Sequence, residues 1–202
     1  MKKSVIFILT GIVSLVAGCS DDTSDGNQSF TLTQQEKNDL LFLREEEKLA
    51  RDVYLFSFDA HGDLIFNNIA ASEQQHMDEI LRLLDKYDLD DPASPERGVF
   101  KNEVLQGLYN DLTAASPISL MKALTVGATI EDLDISDIAT FETRTTNPNI
   151  LNAYEFLKCG SRNHLRSFTE RLQFIGIDYV PQYISAEEYT SIISSDKERC
   201  GQ

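Results

Sequence analysis

The sequence predicts an all-α protein, a helical bundle, and three observations carry that prediction. Apolar residues recur at spacings of three and four over long segments, which keeps them on one face of an α-helix. Those segments are separated by short stretches containing Gly, Pro, Asp or Asn, which cap helices or stop them. No stretch alternates apolar and polar residues as a half-buried strand does. With 202 residues the chain is long enough for one sizeable core.

The bundle does not start at the first residue. Met1-Lys2-Lys3 is basic, Val5 to Val16 is an apolar run, and Ala17-Gly18-Cys19 closes it with small residues. The run is too short to span a bilayer and reads as a secretory signal. Cys19 directly after Ala17-Gly18 resembles the lipobox of bacterial lipoproteins. That resemblance implies cleavage before Cys19, a lipid anchor upon it and a cell-envelope location. Ser20 rather than Asp in the next position implies, in a Gram-negative cell, the outer membrane, facing the periplasm. Residues 1–18 are thus the expected signal peptide, 19–31 a polar flexible linker and 32–202 the helical domain.

Within the domain, Thr33 with Glu36 three residues on forms a capping-box pattern, and the first long helix runs to about residue 58. Gly62 breaks it, and Asp63 caps a second helix reaching about residue 87. Pro92, Pro95 and Gly98 mark a loop. A shorter amphipathic helix follows from Asn102, with Leu105, Leu108, Tyr109 and Leu112 on its apolar face. Ser116-Pro117 reads as a cap followed by proline at the first helical position, opening a helix to about residue 141. After a break at Thr145 to Pro148, a last long helix runs from Asn149 to Ile175 and stops at Gly176. A tail with Tyr179, Tyr183 and Ile184 and a short helix near Ala186 to Ser194 packs back on the bundle. Four main helices plus a short one make a helical bundle.

Charge excludes one class of partner. Without Lys2 and Lys3, 16 of the 18 basic side chains face 33 acidic ones, a net of −17. Such a surface repels nucleic acid and anionic lipid and concentrates divalent cations.

The chemistry lies in the stripes. On the second helix Phe66, Ile69, Glu73, His76, Ile80, Leu83 and Tyr87 share one face, with Glu73 and His76 one turn apart in the middle of an apolar seam. A carboxylate and an imidazole facing a core need compensation. On the first helix Glu47 shares a seam with Leu40, Leu43, Ala50 and Tyr54, whereas Glu46 shares another with Phe42, Leu49, Val53 and Phe56. Spacing alone leaves Glu46 and Glu47 undecided, and the run Glu45-Glu46-Glu47 also suits a solvated face. Glu131 and Asp134 sit in the stripe of Leu120, Leu124, Gly127 and Ile138. His164 sits in the stripe of Ile150, Leu157, Ser161, Phe168 and Leu172. Glu47, Glu73, Glu131 and Asp134 with His76 and His164 are the ligand inventory of a site for one or two metal ions, and oxygen plus imidazole donors suit iron or manganese. A polar, water-filled interior is the alternative.

Glu47-x-x-Ala50-Arg51-x-x-Tyr54, Glu73-x-x-His76 and Glu131-x-x-Asp134 resemble the ligand helices of the ferritin-like, rubrerythrin-type superfamily. More closely, Arg44 to Tyr54, Glu73 to Met77 and Gly160 to Arg166 are similar to the domain of unknown function 2202. The resemblance spans residues 32–193 and favours Glu47 over Glu46. It implies a ferritin-like four-helix bundle holding iron or manganese, with Glu73 or Glu131 bridging, Glu47 and His76 completing one position, and Asp134 and His164 the other. Ser161 departs from the superfamily pattern, which has Glu there, so Asp134 is expected to restore the missing carboxylate. Oxidase, peroxidase or ferroxidase activity follows as one expectation, and a non-enzymatic metal-binding or partner-binding module of the cell envelope as the other. The sequence has no Cys-x-x-Cys pair for a rubredoxin-type centre.

Cys159 lies two positions before the seam residue Ser161, off the metal stripe, and Cys200 ends a tail whose apolar residues need a surface to cover. A tail folded back along the last helix would bring the two thiols within reach of a disulfide in an oxidising compartment. A buried Cys159 and a frayed Cys200 thiol are the other possibility.

Overall fold

Thr33 starts the first helix by a reciprocal exchange. Its Oγ1 accepts from the Glu36 N–H at 3.2 Å, and the Glu36 carboxylate accepts from the Thr33 N–H at 2.8 Å. In the computed structural model, which describes residues 31–201, α1 then runs over Gln34–His61, a turn longer than the spacing predicts. Gly62 ends it in the left-handed region (φ 68°), where a side chain would be strained, and its N–H reaches the Phe58 carbonyl. Asp63 caps α2, Leu64–Lys86, and Asn102 caps α3, Glu103–Ala115. The signal peptide, Cys19 and all but the last residue of the linker lie outside the described residues.

Two helix starts differ from expectation. Ser116-Pro117 does not open the next long helix. Ser116–Ile118 is a single 3-10 turn, and Ser119 caps α4, Leu120–Glu142, by accepting from the Lys122 N–H. The Ser116 hydroxyl is taken up instead by Ser57 Oγ at 2.6 Å, which leaves the capping to Ser119. Asn147 caps α5, Pro148–Phe174, so Pro148 is its first residue rather than part of a break. The short α6 covers Ala186–Ser194.

The four long helices form the bundle: α1 packs on α2, α4 on α5, and the two pairs meet through α2 with α5 and α1 with α4. The α3 helix lies against α1, the 3-10 turn and α4, and α6 against α5. The protein is therefore all-α, built of packed helix pairs. Among the described residues no helix is long and apolar enough to cross a membrane.

The core has two apolar halves. One gathers Tyr54, Phe66, Leu124 and Phe168 with their neighbours. The other gathers Leu40, Leu43, Ile80, Leu84, Ile138, Ile150 and Leu157. On α1, α2 and α5 the boundary between the halves falls at polar positions, Glu46 and Glu47, Glu73 and His76, and Ser161 and His164, and on α4 it falls just beyond Glu131 and Asp134, between Ile135 and Ile138. A polar layer thus crosses the bundle at mid-height.

Backbone and ion-pair contacts bind the outer elements to this frame. Glu45 accepts from the N–H groups of Lys101 and Asn102, which fixes the loop ahead of α3. The fully buried Lys48 donates to Asp52 at 2.6 Å and lies 4.3 Å over the Phe100 ring. Asp132 accepts from Tyr179 and from the backbone of Gln182, Tyr183 and Ile184, holding the tail on α4. Cys159 and Cys200 are joined by a disulfide, so the chain end lies along α5.

Candidate metal centre

Five of the six ligand candidates converge. His76 Nδ1 lies 3.1 Å from Glu47 Oε2 and 2.8 Å from Glu73 Oε2. His164 Nδ1 lies 2.9 Å from Glu73 Oε1 and 3.4 Å from Glu131 Oε2. Glu73 therefore serves both imidazoles, one with each oxygen. The result is two triads, Glu47–Glu73–His76 and Glu73–Glu131–His164, each with its ligand atoms within 4.8 Å of one another. All five side chains are buried. The two rings stack with centroids 5.5 Å apart.

Helical geometry produces this arrangement. Glu73 and His76 are one turn apart on α2 and so point the same way. The α2 helix packs against both α1 and α5, which brings Glu47 to one side of Glu73 and His164 to the other. The α4–α5 pair then carries Glu131 to His164. Gly160 makes room for His76: a Cβ there would stand 2.3 Å from His76 Nε2. Ser72 orients His164, whose Nε2 is 2.9 Å from the Ser72 hydroxyl. With the proton on Nε2, the Nδ1 lone pair faces the carboxylates, as a ligating imidazole held by an outer partner does. Tyr54 donates to Glu131 Oε1 at 2.5 Å.

Electrostatics show how unbalanced the group is without a cation. Burial would raise the Glu73 carboxyl, but the His164 and His76 rings outweigh it and hold it well below the usual carboxylate range. Burial and the Glu73 charge push Glu131 up to about 8. Burial likewise drives Glu47 well above its ordinary value. His164, which burial alone would lower, is raised to about 10 by Glu73 and Glu131. Protons thus stand in for missing positive charge. Even so, Glu47 Oε1, Glu73 Oε1 and His164 Nδ1 are buried without a well-formed hydrogen bond. Buried polar atoms in that state are costly, and a bound cation satisfies them together. The donor set, carboxylate oxygen with imidazole nitrogen, fits a first-row divalent ion.

Asp134 stands apart from both triads. It accepts a hydrogen bond from the Ser161 hydroxyl, its Oδ1 is buried without a partner, and burial lifts its carboxyl to about 7. It is therefore not grouped with His164 and Glu131, contrary to the expectation that it completes that position. Glu45-Glu46-Glu47 is not a solvated run, since all three residues are buried. Glu46 is the residue that spacing could not assign: both its oxygens are buried and unpartnered. It lines a cavity with Glu47, Glu73, Glu131 and Asp134, roofed by Leu108 and Leu112 of α3 and by Tyr183. The cavity is small, with room for about one water or one ion.

Fold and site together define a helical bundle with a buried double carboxylate–imidazole centre able to hold metal ions. Residues 36–196 match the model of an uncharacterized protein domain, DUF2202, and the chain belongs to that family. It is 49% identical over 169 residues to the uncharacterized protein MJ0754 of Methanocaldococcus jannaschii, covering 83% of this chain and 91% of the relative. The crystal structure of that hypothetical protein superposes with a TM-score of 0.82, covering 83% of this chain and 96% of the other.

Proposed function

We propose that this is a ferritin-like, lipid-anchored protein of the cell envelope that binds two iron or manganese ions in its core and uses them in redox chemistry on oxygen, peroxide or ferrous iron. The single observation that carries the reading is the shared Glu73: one carboxylate between two imidazoles, flanked by Glu47 and Glu131. That is how a bridging ligand of a two-metal centre is arranged. Glu47 and His76 would hold one ion, Glu131 and His164 the other, with Glu73 common to both. Such ions supply one-electron steps between their divalent and trivalent states.

The chain's own residues do the rest. Ser72 keeps His164 in the ligating tautomer, and Gly160 seats His76. Tyr54 keeps its proton, because burial and the neighbouring Glu131 raise it well above the ordinary tyrosine value, and so orients Glu131 by donation. Leu108, Leu112 and Tyr183 restrict the cavity to small molecules. Envelope anchoring through Cys19 is supported by the sequence pattern alone. Mass spectrometry of the mature amino terminus checks it, and a Cys19→Ala protein that still sediments with membranes contradicts it.

Activity is tested by adding ferrous iron and oxygen to the metal-depleted protein, or peroxide to the iron-loaded protein. Rapid oxidation or peroxide turnover that Glu131→Ala abolishes is the expected result. Stoichiometric binding without turnover instead makes the protein a metal-binding module.

A further inference from the structure

The polar layer holds more carboxylate than two metal ions use. Glu47, Glu73 and Glu131 bring three negative charges to two divalent cations with neutral imidazoles. Once ionised, Glu46, Asp134 and Asp137 add three more, and the excess then equals the charge of one further divalent ion. No basic side chain of the polar layer answers it. Arg144, which favours the charged form of Asp137, is itself held by Asp39 at 2.9 Å.

Position is the second argument. Glu46 is 3% exposed, lines the cavity beside the triads, and has no well-formed hydrogen bond to either oxygen, its close polar neighbour being the Asp137 carboxyl. Asp134 offers an unpartnered Oδ1 to the same cavity. The Glu46 carboxyl is near that of Asp134 and within hydrogen-bonding reach of that of Asp137. Asp137, one helical turn beyond Asp134, is half-buried and also lines a surface depression between α1 and α4. The three carboxylates therefore run from the protein surface to the edge of the triads.

We infer that Glu46, Asp134 and Asp137 form an outer, all-oxygen site for a hydrated divalent cation, through which metal reaches the triads. This rests on the metal-binding reading of the triads. Among the described residues only the triads bring three ligand atoms within 4.8 Å of one another. A cation at the outer site accordingly keeps part of its water shell, as hard divalent ions held by few carboxylates do. It binds more weakly than the ions below and exchanges faster.

Crystals of the full chain soaked in manganese(II) and measured for anomalous scattering test the inference. At high manganese the wild type should hold ions in both triads and a further one among Glu46, Asp134 and Asp137. Glu46→Gln, isosteric and uncharged, should lose the outer ion and keep the inner two, and in solution it should load manganese at least tenfold more slowly. Glu73→Gln should keep the outer ion and lose the inner ones. Ions in the triads alone, or an outer ion and loading rate untouched by Glu46→Gln, overturn this inference and leave the function standing. No ion in either place overturns both.

Discussion

The apolar halves of the core and the polar layer between them are built from the same four helices and are equally buried, yet opposite rules govern them. In the half around Phe168, rings interlock: Tyr54 lies 5.3 Å and Phe66 5.9 Å from the Phe168 centroid, and a Cβ on Gly127 would come within 2.5 Å of that ring. The Tyr54 hydroxyl there has its partner in Glu131. In the polar layer, oxygens of Glu46, Glu47 and Asp134 are buried without a hydrogen-bond partner. The halves carry the stability of the bundle, and the layer consumes part of it to keep ligands in place. Proteins tolerate such a conflict where it serves function.

The sharpest break of this contrast is a truncation in an apolar half. Phe168→Ala should cost about 3–5 kcal/mol in urea unfolding, through lost burial and the cavity left behind. Reduction of the Cys159–Cys200 bridge comes next. It closes a segment with a sequence separation of 41, and its loss should destabilise the protein by about 4 kcal/mol in the loop-entropy account. Differential scanning calorimetry with and without reductant measures it.

The polar layer should respond in the other direction. Glu46→Met in metal-free protein removes an unpartnered carboxyl from the interior and should raise stability by about 1–3 kcal/mol. A loss of that size would mean that Glu46 has a structural partner and that the contrast is misplaced.

Two smaller effects sharpen the picture at the periphery. Thr33→Ala removes the α1 cap and should cost about 1 kcal/mol. Glu198 ties the tail to α5: hydrogen bonds from Arg162, against some burial, and then from Arg166 hold its carboxyl down at about 2, below the ordinary 4.5. A depressed carboxyl stabilises the fold above its unfolded value and ceases to do so as pH falls through the folded one. The tail should therefore loosen between about pH 4.5 and 2, seen as faster amide exchange at residues 195–201, and Glu198→Gln should remove that dependence.

Much of this was legible in the sequence. Glu73 and His76 interrupt a seam whose other members are apolar, and an interrupted seam can be read from one helix at a time. Thr33 and Asp63 announce their helices because capping is local chemistry. Glu46 was not legible, because α1 is enclosed by α2, α4, α3 and the loop before α3, so two stripes are buried and periodicity chooses neither. The place of Asp134 depends on the Ser161 hydroxyl of another helix, which spacing on α4 cannot reveal. Gly160 and Ser72 act only through contacts with His76 and His164. A small residue beside a seam position was the one available sign of the former.

The central claim is that one carboxylate, Glu73, serves two metal positions at once. The most direct test is the iron and manganese content of chelator-free protein, per chain, for the wild type, Glu131→Gln and Glu73→Gln. The account predicts two ions in the wild type, one for each triad, one after Glu131→Gln and none in the core after Glu73→Gln. A wild type without transition metal, or a Glu73→Gln protein that keeps its full complement, would contradict it.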